Sequence, residues 1–265
     1  MSPDEIAAAA RDLARAERTG VQIGLLSRRH PGMTLDEAYA VQEALVSAKL
    51  AQGRRRIGWK IGLTSRAMQQ ALGIETPDSG VLLDDMAFDS GATVPAGRFI
   101  EPRVEVEIAF VMGADLAGEV GREEVLRATD AVAPALEILD TRILRADPET
   151  GRARIVTDTV SDNAANAGIV LGPERHAPDA ADLRWTGAIL KRDGIVEETG
   201  LGAGVLDDPV MGIAWLSRRL SAYGQGLRAG EVVLSGSFTR PVESPPGSRF
   251  EADFGAFGTV RIAFA

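Results

Sequence analysis

The sequence predicts an α+β fold with a mixed sheet, and three observations predict it. Helical signatures crowd the first fifth of the chain. Strand-like apolar runs dominate the middle and the end. The segments between them carry short turn chemistry, with no low-complexity tract, repeat or linker. The expected organisation is one unit over residues 1–265, a helical layer over 1–55 and a mixed β core over 56–265.

Each element follows from local chemistry. Ser2-Pro3-Asp4-Glu5 opens a helix, with a capping hydroxyl, proline in the first turn and acids at the positive end of the dipole; the helix ends at Gly20. Thr34-Leu35-Asp36-Glu37 is a capping box for a second helix, with Ala38, Val41, Leu45 and Lys49 at helical spacing before Gly53. Ile57 to Leu63 reads as a strand, and Thr64-Ser65 caps a short helix through Leu72. The amides near Leu63, Thr64 and Ser65 suit a carboxylate, or serve ordinary capping. Ile74 to Gly80 is a turn-rich loop, where Asp78 is either a turn former or an active-site acid.

The central strand is Arg103 to Phe110. Val104, Val106, Ile108 and Phe110 fall on one face, and Arg103, Glu105 and Glu107 on the other. Two carboxylates side by side need solvent or a cation between them. A solvated acidic face and a divalent-metal site both satisfy that. Glu137 is different, because it sits inside the apolar run Val132 to Leu139. A buried acid there must be paired with an arginine, protonated or bound to metal. Together the three acids form a hard oxygen set suited to Mg²⁺ or Mn²⁺.

Further on, Arg122 to Asp130 suggests a helix and Asp147 to Arg154 a polar loop. Ser161 to Gly168 is too rich in small polar residues for a helix interior and reads as a ligand-facing turn. Arg184–Arg192 and Ile195–Thr199 form a hairpin about Asp193-Gly194. Asp207-Asp208-Pro209 caps a helix to about Tyr223. Glu231–Leu234 is a strand, and Arg249–Phe254 with Thr259–Phe264 closes the chain as a hairpin.

Composition narrows the function. Net charge is −9 and the isoelectric point is near 4.9, which argues against nucleic acid as a partner. With no cysteine, thiolate chemistry and disulfides are excluded. His30 and His176, the two histidines, read as surface residues. Apolar runs are too short for a membrane span, and no leader pattern opens the chain, so a cytoplasmic location is expected. Of 29 Lys plus Arg, three are lysine: Lys49, Lys60 and Lys191. Among so many arginines, a lysine points to a need for an amine that titrates.

The ordered motifs Ile57 to Ser65, Pro77 to Asp85, Pro102 to Glu107, Pro134 to Glu137, Ser161 to Gly168 and Gly236 to Pro241 resemble the hydratase/decarboxylase branch of the fumarylacetoacetate hydrolase superfamily. The resemblance spans nearly the whole chain. It implies a β-roll or barrel-like core, an Mg²⁺ or Mn²⁺ site and a homo-oligomer. It implies Glu105, Glu107 and Glu137 as metal ligands and Lys60 and Asp78 as proton-transfer residues. Leu63, Ser161, Ser237 and Thr239 match substrate-facing positions. The implied reaction is addition of water to 2-hydroxyhepta-2,4-diene-1,7-dioate, with hydration of a five-carbon dienoate or decarboxylation of 4-oxalocrotonate as alternatives on the same scaffold. Burial is expected to lower the pKa of Lys60 so that it can shuttle protons.

Overall fold

Both sequence capping boxes are realised. In the computed structural model, which describes residues 1–66, 69, 70, 74 and 76–265, Ser2 and Thr34 accept hydrogen bonds from the amides of Glu5 and Glu37. The helices they open, α1 (Pro3–Thr19) and α3 (Leu35–Ala51), flank a one-turn helix α2 (Leu26–Arg29). Leu13, Leu26, Val41 and Leu45 pack with Ile143 into a helical-layer core. Residues Ala67, Met68, Ala71, Leu72 and Glu75, part of the expected short helix and loop, lie outside the described residues, as does Gly73.

The β core holds two sheets among the described residues. The larger runs through β1 (Arg56–Gly62), β2 (Asp78–Leu83), β3 (Ala87–Asp89), β5 (Arg103–Met112), β6 (Thr129–Leu139), β7 (Asn166–Leu171) and β10 (Val232–Ser237), in the order β2-β1-β10-β5-β6-β7-β3. A short strand β11 (Val242–Glu243) also pairs with β5. β1 with β10 and β3 with β7 are parallel and the other pairs antiparallel, so the sheet is mixed. The second sheet orders β4 (Thr93–Val94), β13 (Thr259–Phe264), β12 (Arg249–Asp253), β8 (Gly187–Arg192) and β9 (Ile195–Leu201). Asp193 and Gly194 both take positive φ at the β8–β9 turn, as a two-residue hairpin requires. Among the described residues, three further α-helices are α4 (Arg122–Ala128), α5 (Val156–Ser161) and α6 (Pro209–Ser221).

The larger sheet is a roll. Ile57 and Val232 from one side and Ile169 and Leu171 from the other line a common cavity, so its two flanks face each other. Its end strands β2 and β3 do not pair, and among the described residues the barrel stays open.

Alternation along β5 divides the molecule. Val104, Val106, Ile108 and Phe110 are fully buried against Leu190, Phe250, Ala252, Val260 and Ile262 of the second sheet. Each such side chain contributes roughly 1.5–3 kcal/mol by leaving water. The other face looks into the roll, where Ala109 joins Leu82, Ala135, Ile169 and Leu234 in a thin apolar floor. Above that floor the same face carries acids.

Two expectations change. Asp78, read as part of a loop, begins strand β2, because it pairs with Gly62 across the sheet. The Ser161 stretch is no open turn. Asn163, Ala164 and Ala165 take positive φ, and Asn163 uses both ends of its amide on Val81, donating to its carbonyl (2.9 Å) and accepting from its N–H (2.8 Å). A side chain thereby stands in for a neighbouring strand at the edge of β2.

Candidate active site

Four strands converge on one polar pocket. In the β5–β6 ladder Glu105 is directly opposite Glu137, and Glu107 is opposite Ala135. An alanine opposite Glu107 leaves space for its carboxylate. Lys60 lies two strands away on β1, and Asp78 follows on β2. Carboxylate oxygens of Glu105, Glu107 and Glu137 all lie within 4.8 Å of one another. Lys60 Nζ is 3.3 Å from Glu137 Oε1, and both side chains are almost wholly buried.

Backbone features bring these groups close. A methyl group added at Gly62 would collide with Asp78 Oδ1 and lie 3.2 Å from Lys60 Nζ, so only glycine lets the three approach. Gly236 sits at a break in the β10–β5 register with φ of 119°. That geometry aims its N–H at Glu107 Oε2, at 2.8 Å.

The electrostatics are those of an over-charged pocket. Burial, then Glu137, pushes the Glu105 pKa up to about 8. Burial followed by Glu137 and Glu105 raises Glu107 well above the usual range, against the Gly236 amide. Burial raises Glu137 and Asp78, with Lys60 opposing in both cases. For Lys60, burial works against the charge, yet Glu137, Asp78, Glu105 and Glu107 outweigh it and raise the pKa. The expected lowering of Lys60 by burial is thus reversed by the site's own charges, and the ammonium is held protonated.

The donor set fits a divalent cation. Glu107 Oε1, both oxygens of Glu137 and Asp78 Oδ1 are buried without a hydrogen-bond partner among the described residues. Buried carboxylate oxygens are ordinarily satisfied, and oxygen-only donors suit hard cations. Glu105, Glu107 and Glu137 are the residues that could hold one.

The expected substrate-facing residues separate. Leu63, the residue after β1, takes a positive φ of 57°, and its carbonyl accepts from Gln69 Nε2 at 2.6 Å. Ser237 and Thr239 grip the residue between two of the acids: Val106 N–H donates to Thr239 Oγ1 (3.2 Å), and Ser237 Oγ lies within donating distance of Val106 O (3.2 Å). Ser161 is fully buried and donates to Thr157 O at 2.8 Å. The hydroxyls of these three residues bond the protein's own backbone, because the β10–β5 break and the short helix α5 leave carbonyls and amides to satisfy there.

Sequence reading missed Tyr39 and Gln42. Tyr39 Oη accepts from Ser79 N–H at 3.2 Å, beside Asp78, with the Arg219 guanidinium 3.5 Å over its ring. Gln42 Nε2 donates to the carbonyls of Ser79 and Val160, fastening the helical layer to β2. A buried glutamine one turn from a tyrosine on an otherwise apolar helix face was the available signal.

Residues 64–265 match the fumarylacetoacetate (FAA) hydrolase C-terminal family. The chain is 49% identical over 256 residues to 2-oxo-hept-4-ene-1,7-dioate hydratase of Escherichia coli, covering 96% of each protein. It is 41% identical over 265 residues to 2-keto-4-pentenoate hydratase of Paraburkholderia xenovorans, all of this chain and 96% of that one. Its structure superposes on 4-oxalocrotonate decarboxylase from Pseudomonas putida, complexed with magnesium and adipate, with a TM-score of 0.94. That likeness has 30% sequence identity and covers 100% of this chain and 99% of the other.

Proposed function

Because the chain belongs to the fumarylacetoacetate hydrolase family, we propose that it is a metal-dependent hydro-lyase adding water to 2-hydroxyhepta-2,4-diene-1,7-dioate. The product is 4-hydroxy-2-oxoheptane-1,7-dioate. What carries this reading is the near full-length likeness to a hydratase of that class, in a chain whose acids and lysine converge in one pocket.

Glu105, Glu107 and Glu137 would hold Mg²⁺ or Mn²⁺, which supplies Lewis acidity toward the 1-carboxylate and 2-oxygen of the substrate. The remaining chemistry belongs to the chain. Lys60, kept protonated by its four acidic neighbours, gives the proton at Nζ to C5 of the dienol and is reprotonated by the one that leaves the 2-hydroxyl. Asp78 accepts a hydrogen bond from the water whose oxygen adds at C4, the electrophilic end of the conjugated ketone so formed, while the water's proton passes to C3. The Leu63 backbone, just after β1, faces the substrate. Buried walls around Lys60 and Glu137 exclude bulk water and strengthen these charges.

On the same reading the enzyme serves aromatic catabolism along the homoprotocatechuate route, as a cytoplasmic homo-oligomer. Among the described residues no helix is long and apolar enough to cross a membrane.

The test is direct. Purified protein with Mg²⁺ is given 2-hydroxyhepta-2,4-diene-1,7-dioate and the product identified; the 4-hydroxy-2-oxo diacid is expected. The close overlap with a decarboxylase favours one rival. Carbon dioxide released from 4-oxalocrotonate, with no hydration of the seven-carbon dienol, would replace the hydratase reading with that rival.

A further inference from the structure

Three arginines gather near the start of β5, two residues before Glu105. Strand alternation puts Arg103 on the same face of β5 as Glu105 and Glu107. It stands two residues beyond Glu105, about 6.6 Å along the strand. Arg145 and Arg154 come from the two arms of a small hairpin, in which Arg154 N–H donates to Arg145 O at 2.9 Å beside the bridge Ala146–Ala153. Burial and then Arg103 depress the pKa of Arg145, and burial, Arg145 and Arg103 that of Arg154. The same Arg154 charge acts on Asp78, across the pocket.

Their charges are poorly matched. Arg145 pairs with Glu101 at 3.0 Å and Arg103 with Glu243 at 2.9 Å, but Glu243 is 73% exposed. Arg103 Nε is buried without a hydrogen-bond partner among the described residues. Arg154 donates to Thr141 Oγ1 at 2.7 Å and has no carboxylate within 4.0 Å among the described residues. Like charges gathered in this way cost stability, and these pairs, with Asp162 acting on Arg154, offset it only in part.

We propose that Arg103 and Arg154, backed by Arg145, form the subsite for the second carboxylate of a dicarboxylate substrate whose first carboxylate is held by the cation that Glu105, Glu107 and Glu137 would bind. This rests on the hydratase reading above. Guanidinium forks match a carboxylate bidentately, and Arg103 Nε has a donor to spare. A seven-carbon chain, six bonds of about 1.5 Å in a zigzag, spans roughly 7 Å, comparable to the strand spacing between Glu105 and Arg103. A five-carbon monoacid leaves the arginines unused.

The test compares two substrates in Arg103→Gln, Arg154→Gln and Arg154→Lys. The ratio of kcat/KM for 2-hydroxyhepta-2,4-diene-1,7-dioate over 2-hydroxypenta-2,4-dienoate is expected to fall roughly ten- to a hundred-fold in the glutamine variants. In Arg154→Lys, which keeps the charge without the fork, it falls severalfold. Circular dichroism verifies folding, and if a glutamine variant does not fold the lysine variant decides. An unchanged ratio overturns the proposal. Calorimetry of the Mg²⁺-loaded protein with adipate and with hexanoate gives a second readout. Adipate should bind more tightly, with that preference lost in the variants, and equal binding by the unsubstituted protein overturns the subsite. A protein that hydrates neither dienol, yet prefers adipate through these arginines, refutes the hydratase reading while the subsite stands.

Discussion

Two groups of buried charges lie on either side of β2, and they are built in opposite ways. Behind it, Arg142 donates through Nε to Asp162 Oδ1 (2.5 Å) and through Nη2 to Asp162 O (2.6 Å), and its N–H bonds Asp162 Oδ2 (2.8 Å). Both carboxylate oxygens of Asp162 are used, and the pair pins the Ser161 stretch to the end of β6. Inside the roll, Glu107 and Glu137 keep oxygens that no group of the described chain satisfies. Evidently the fold can pair a buried acid fully where it needs to. Leaving these two acids under-satisfied beside a lysine is therefore informative, since buried carboxylates of this kind are stabilised by a cation or by protonation.

The contrast breaks first at the chemistry. Lys60→Met and Asp78→Asn should each lower turnover by roughly 10²- to 10⁴-fold, about 3–5 kcal/mol of barrier, with cation binding retained by calorimetry. Near-normal kcat would return either residue to the scaffold. Arg142→Met acts on the other group: it strands Asp162 as an unpaired buried charge and should cost ~3–5 kcal/mol in urea unfolding, with kcat per folded molecule kept. A loss of kcat in the folded fraction would mean the two groups are not separate.

A subtler test sets stability against binding. Glu107→Gln removes one of the crowded carboxylates, so the chelator-treated protein should melt several degrees higher at pH 8 while its affinity for Mg²⁺ falls. A lower melting point would mean that Glu107 is simply structural. The smallest effect is in pH. The Glu105 pKa is pushed up to about 8 from an ordinary 4.5, so the folded state holds that proton more tightly than the unfolded state. Its contribution is complete below about pH 4.5 and is lost as pH rises through about 8. The melting temperature of chelated protein should therefore decline across that window and the decline should shrink with Mg²⁺. A flat profile without metal would contradict the crowding.

Much of this was legible in one dimension. The alternation of Arg103 to Phe110 gives the two faces of β5 directly, and an acid inside Val132 to Leu139 has few physical explanations. Both capping boxes were readable because a cap is a contact between residues three apart. What stayed hidden depends on distant partners. Asp78 looked like a turn former, since Asp-Ser-Gly carries turn chemistry and nothing local reveals that Gly62 will pair with it. The Ser161 stretch looked ligand-facing because the partners of its Asn163 and Asp162, Val81 and Arg142, are 82 and 20 residues away in the sequence. The sign of the Lys60 shift sums acids from three other strands and could not be read from Lys60 alone.

Strand β5 is wall and foundation at once: Val106 is packed against the second sheet while the residues on either side of it aim acids into the pocket. A change such as Val106→Ala leaves every reactive atom in place yet shifts the platform carrying them. A packing substitution on such a strand also moves the acids beside it. Diversification of substrate then falls to parts that can vary without moving the acids. The hairpin bearing Arg145 and Arg154, joined to the rest by its own short bridge, is such a part.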